Sequence, residues 1–138
     1  MATCLICGYN RLEDEIDAGV ICPCCGNEYD LDDDLSKEDI LLIYCGNDET
    51  LLYSIAPETK KLKLRDYVEP ETAWKFLGLG WLKKGCPFWW KAEKKDFSKE
   101  DAYRQVSNVT DKTMEELMQI VNQITYSEID EDGNLIQY

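Results

Sequence analysis

The residues best placed to do chemistry are four cysteines in two matched pairs, Cys4-Leu5-Ile6-Cys7 and Cys22-Pro23-Cys24-Cys25. Each pair is followed by a glycine, Gly8 or Gly26, and fourteen residues separate them. Two residues between thiols let one tight turn aim both sulfurs at one ion, and the glycine frees the backbone to point amides at them. Two such turns make the four-thiolate pattern of a tetrahedral zinc site. The expected ligands are Cys4, Cys7, Cys22 and Cys25, holding one Zn2+. Catalytic zinc keeps a position open for water; four thiolates close the shell, so the expected role is structural. Such binding contributes folding free energy on the order of 10–16 kcal/mol near neutral pH. A segment of about 30 residues has too little apolar core to fold without it.

Two other chemistries compete for these sulfurs. A pair of disulfides fits poorly with seven cysteines, an odd number. It also fits poorly with the start of the chain, where Met1-Ala2-Thr3-Cys4 leads straight into the first pair with no basic or long apolar stretch. No signal peptide is therefore expected. The longest apolar run, residues 40–44, is too short to cross a membrane. The expected setting is cytoplasmic, where thiols stay reduced. Redox chemistry at Cys-x-x-Cys would need a βαβ context that is not visible here. Cys24 lies between Cys22 and Cys25 and could replace either as a ligand. The symmetry with Cys4 and Cys7 favours the outer pair. Cys45 and Cys86 lie in apolar surroundings and read as small buried residues.

The stretch Cys4-x-x-Cys7-Gly8-Tyr9 with Cys22-Pro23-Cys24-Cys25-Gly26 and the acidic residues after it resembles the zinc-ribbon knuckles of bacterial cysteine-rich CPCC-type proteins. The resemblance covers residues 4–35, about a quarter of the chain. It implies the same metal ligands and an N-terminal zinc ribbon.

Charge is distributed unevenly. The net charge is −13 over 138 residues. Residues 1–58 hold fourteen acids and two bases, residues 59–104 twelve bases and seven acids, and residues 105–138 seven acids and one base. Histidine is absent. That removes the commonest general base, serine–histidine and cysteine–histidine nucleophile pairs, and histidine metal ligands. Phosphate loops, dinucleotide turns, His-Glu-x-x-His and serine elbows are also missing from the sequence. The chain therefore reads as a non-enzyme.

The elements that must position these groups are a ribbon over residues 1–35 and a small α+β domain of mixed strands and helices over residues 36–138. Ser36 and Asp39 resemble a capping box, yet the β-branched content of residues 40–44 leaves helix and strand equally open for residues 37–45. Residues 51–55 and 61–64 read as strands, the second alternating Leu62 and Leu64 with Lys61, Lys63 and Arg65. Pro70 and Gly78 bracket a short helix over residues 71–77, and glycines and Pro87 break any element over residues 78–91. Ser98 caps a helix to about residue 106. Met114, Leu117, Met118 and Val121 mark the apolar face of another over residues 112–123. Residues 125–129 and 134–138 flank a turn and predict a hairpin.

Three further groupings carry alternatives. Trp81, Phe88, Trp89 and Trp90 among Lys83, Lys84, Lys91, Lys94 and Lys95 form either a base-stacking groove or core aromatics beside solvated lysines. If the backbone there is extended, Trp89 and Trp90 face opposite sides, and at least one is free for a contact. Asp130-Glu131-Asp132-Gly133-Asn134 has calcium-loop residues, but a loop registered on Gly133 needs a bidentate acid beyond Tyr138, so a hairpin turn is preferred. Asp30, Asp32, Asp33 and Asp34, with the acids of residues 13–17, form an electrostatic face.

Together these features lead to an acidic zinc-ribbon protein that binds and neutralises a basic protein partner, as an immunity protein or inhibitor does against a nuclease toxin. Asp30, Asp32, Asp33, Asp34, Trp89 and Trp90 are the expected partner-facing residues. The alternative is a nucleic-acid-binding accessory protein using residues 81–95, although the acidic ribbon half would repel phosphates.

Overall fold

Side-chain caps start most of the helices. Ser36 Oγ accepts from the Asp39 amide and Asp39 returns the bond to the Ser36 amide, a complete capping box. Helix α1, Lys37–Tyr44, follows it, which decides residues 37–45 for helix. The same reciprocal pair recurs with Ser98 and Asp101 before α4, Lys99–Val109, and with Thr113 and Glu116 before α5, Met114–Gln123. The computed structural model describes residues 1–90 and 97–138.

Among those residues the fold is mixed α+β, with five α-helices, a 3-10 turn and one two-stranded antiparallel sheet. The two strands expected at residues 51–55 and 61–64 do not form. The Asp48 carboxylate accepts from the Thr50 and Leu51 amides and starts helix α2, Glu49–Ile55, which buries Leu52 and Ile55 one turn apart. Pro57 then opens the 3-10 turn Pro57–Lys61. Leu62 is half-buried but Leu64 stays exposed, so the alternation in that segment has no sheet to serve.

Helix α3, Pro70–Lys83, begins at Pro70 as expected but runs past Gly78 and Gly80. Those glycines are contact points rather than a stop. A Cβ on Gly78 would lie 2.6 Å from the Ile6 carbonyl oxygen, and one on Gly80 2.8 Å from the Tyr126 ring. α3 packs on α1, α4 and α5 and carries the fully buried Trp81, Phe76, Leu79 and Leu82. In α5, Leu117 and Val121 are buried, whereas Met118, expected on the apolar face, is 44% exposed.

Strands β1, Ser127–Ile129, and β2, Leu135–Gln137, pair with Glu128 opposite Ile136. Asp130 Oδ1 accepts from the Asp132 and Asn134 amides, so this acid braces the hairpin turn. No helix among the described residues is long and apolar enough to cross a membrane.

Residues 1–35 contain no helix or strand, only turns and two isolated bridges, Ala2–Leu12 and Ile21–Glu28. Their buried side chains join those of the helices in one continuous apolar cluster.

Candidate metal centre

Each cysteine pair folds into the same turn. Cys4 N–H donates to the Tyr9 carbonyl at 2.7 Å and Gly8 N–H to the Cys4 carbonyl at 2.9 Å. Eighteen residues on, Cys22 N–H donates to the Asn27 carbonyl at 3.1 Å and Gly26 N–H to the Cys22 carbonyl at 2.8 Å. Gly8 and Gly26 take matching left-handed backbone, φ +83° and +76°. A side chain would be strained at either position.

The two turns bring four sulfurs to one point. The Sγ atoms of Cys4, Cys7, Cys22 and Cys25 all lie within 4.8 Å of one another and all four residues are buried. Cys7 and Cys22 are 3.7 Å apart and Cys4 and Cys25 4.0 Å. A tetrahedron of thiolates around an ion at about 2.3 Å has sulfur separations of about 3.8 Å, so the cluster fits a metal ion. All seven cysteines are free.

Cys24 is buried but outside this cluster. Its sulfur faces the Gln105 side-chain amide at 4.0 Å, so the four sulfurs that converge are the outer pairs. Burial pushes Cys45 up to about 12 and Cys86 up to about 11, and both remain thiols at neutral pH.

The crowded sulfurs share protons unequally. Hydrogen bonds from Cys22, Cys25 and Cys7 hold Cys4 well below the usual thiol range, while burial holds Cys7 above it. Two further donors serve Cys4. Ile6 N–H approaches its sulfur at 3.4 Å. Tyr29 Oη lies 3.0 Å from the same sulfur and accepts from Leu5 N–H at 2.9 Å. With its oxygen already accepting, the Tyr29 hydroxyl is set to donate to a Cys4 thiolate. Such outer contacts orient a ligand and temper its charge.

The helical body grips the first turn. Gly78 of α3 lies against the Ile6 carbonyl, and the Gln105 backbone of α4 packs where Gly8 has no side chain. Gln105 Nε2 also donates to the Cys7 carbonyl at 3.2 Å. The second turn is held differently. Trp89 N–H donates to the Cys24 carbonyl at 3.0 Å and Trp90 N–H to the Pro23 carbonyl at 2.9 Å, with the Trp89 ring packed on Gly26.

The groupings noted in the sequence separate in space. Trp81 and Phe88 are buried, whereas Trp89 and Trp90 are 60% and 56% exposed. Lys83 donates to the Val121 carbonyl and Lys84 pairs with Glu128; Lys91, Lys94 and Lys95 lie outside the described residues. Asp30 and Asp34 are exposed. Asp32 accepts from the Glu28 amide at 2.7 Å and Asp33 from the Trp74 indole at 2.9 Å, so these two hold the acidic segment in place. Sequence reasoning missed Tyr29, Gly78 and Gln105. The last two lie far from the cysteines along the chain and carry no local signal. Compared with known proteins, the chain matches no family model, no curated protein and no solved structure.

Proposed function

We propose that Cys4, Cys7, Cys22 and Cys25 hold one structural Zn2+ in a zinc ribbon, and that the acidic protein so shaped binds and neutralises a basic protein partner. The convergence of four buried sulfurs within 4.8 Å of one another carries the metal part of this reading. The ion would supply charge neutralisation and a rigid crosslink, and four sulfur ligands leave it no position for substrate. We place the protein among non-enzymes because its sequence has no histidine and none of the common catalytic motifs. The resemblance of residues 4–35 to CPCC-type knuckles agrees with it.

The partner part rests on charge. Glu13, Asp14, Glu15, Asp17, Asp30 and Asp34 are all exposed, within a chain of net charge −13. Such a surface speeds association with a cationic protein and repels anionic ones. Exposed Trp89 and Trp90, held on the second cysteine turn, offer apolar anchors. They also favour a second reading, stacking on single-stranded nucleic acid, though Lys83 and Lys84 are engaged elsewhere.

Two measurements test the proposal. Elemental analysis of protein purified under reducing conditions should give one zinc per chain. Calorimetry against the protein that co-purifies from the native host should show affinity falling steeply with added salt. A metal-free product, or a partner that is acidic or bound independently of salt, would refute the corresponding half.

A further inference from the structure

A cleft of about 470 Å³ opens between the first cysteine turn, the start of α3 and the end of α4. Its walls are Leu5, Trp74 and Val109. Both flanking walls are fixed by Tyr29. Its hydroxyl accepts from the Leu5 amide, and its ring meets the Trp74 indole edge-on at 5.8 Å. The Trp74 N–H is in turn tied to Asp33. The cleft is therefore preformed.

Three carboxylates from three separate elements converge on it: Glu58 from the 3-10 turn, Glu71 from the first turn of α3 and Asp111 after α4. One cation answers them. Lys75, with a side chain only 11% exposed, lies 3.5 Å from Glu58 and 3.8 Å from Asp111, with the Ile55 carbonyl at 3.4 Å. Among the described residues this one cation leaves a net charge of two negatives on the three carboxylates; Glu58 also accepts from the Thr72 hydroxyl at 3.0 Å, and Glu71 has no ion-pair partner there.

On the reading that the protein docks on a basic partner, we propose that this cleft receives one cationic side chain of that partner, with arginine preferred over lysine. The alkyl stem would lie along Leu5 and Val109 while the charged head meets Glu71 and Asp111. Trp74 offers an indole to a planar guanidinium, which an ammonium uses less well. A neutral side chain of the same shape gains the walls but not the rim, and an anionic one is repelled.

The test is a titration of the metal-loaded, isotope-labelled full chain by NMR at low salt. The probes are a blocked tetra-arginine peptide and its tetra-citrulline counterpart. The arginine peptide should shift the Trp74 indole N–H and the Leu5 and Val109 amides, and citrulline should not. The double variant E71Q/D111N should weaken arginine-peptide binding about fivefold or more with metal content unchanged. Shifts confined to residues 13–17 and 30–34, or equal binding of citrulline, would overturn the cleft and leave the acidic-docking reading standing. Absence of arginine-peptide binding anywhere on the protein would overturn both.

Discussion

The two ends of this chain are ordered by different forces. Four of the five helices described in residues 36–138 have first turns capped by side chains, and their apolar stripes meet around Trp81, Phe76 and Leu117. Residues 1–35 have no regular element to contribute. Their buried side chains are five cysteines with Ile6, Tyr9, Leu12 and Tyr29. In the first region the hydrophobic effect and local capping are the organising features. In the second, four sulfurs packed at one point are the organising feature, and thiols gathered without a cation gain little. The contrast shows how a short segment without secondary structure can still present a fixed surface.

Removing the metal should expose that difference most. Chelation under reducing conditions should strip hydrogen-exchange protection from residues 1–35, a loss on the order of 10 kcal/mol of binding free energy. Most of the helical circular dichroism should survive. Concerted melting of all helices would show that the two regions are one unit. Cys22→Ser should reproduce the chelated state, whereas Cys24→Ser, outside the sulfur cluster, should retain one metal per chain.

Leu117→Ala probes the other side of the comparison. It empties a fully buried site in α5 and should cost about 2–5 kcal/mol by thermal or denaturant unfolding. Metal stoichiometry should not change. A fall in metal content would contradict the division.

Gly78→Ala addresses the joint between the regions. The added Cβ would press on the Ile6 carbonyl from 2.6 Å, an overpacking of about 1–3 kcal/mol. Both the melting temperature and the metal affinity should drop. A change in one alone would mean that the joint transmits nothing.

Tyr29→Phe is the mildest of these. It removes the hydroxyl next to Cys4 and keeps the ring against Trp74. Metal affinity, measured by competition with a chelator, should fall about tenfold, the lower end for an outer-shell contact. An unchanged affinity would reduce Tyr29 to a packing residue.

The cysteine spacing made the candidate site legible because metal-binding turns are local: each needs only six consecutive residues. Capped helices were legible for the same reason: Ser36, Ser98 and the hairpin turn at Gly133 marked real boundaries, whereas the Thr113 cap was not read from the sequence. Misreadings arose where a tertiary contact changed a residue's meaning. Gly78 looked like a helix stop because its role, making room for Ile6, depends on a residue far away in sequence. Residues 51–55 looked like a strand paired with residues 61–64 across a proline-containing connection, yet the Asp48 cap and the burial of Leu52 and Ile55 select a helix. The cleft at Trp74 was invisible, since its walls come from three separate stretches.

The bond from Gln105 to the carbonyl of Cys7 spans 98 positions of chain. During synthesis both cysteine turns leave the ribosome long before their clamp exists. At about 5–20 residues per second, the some 80 residues between Cys25 and Gln105 take roughly 4–16 s to add. In that interval the nascent thiols have only one another and whatever ion they capture. An ion captured that early would shield the sulfurs from oxidation until α4 arrives to lock them in place.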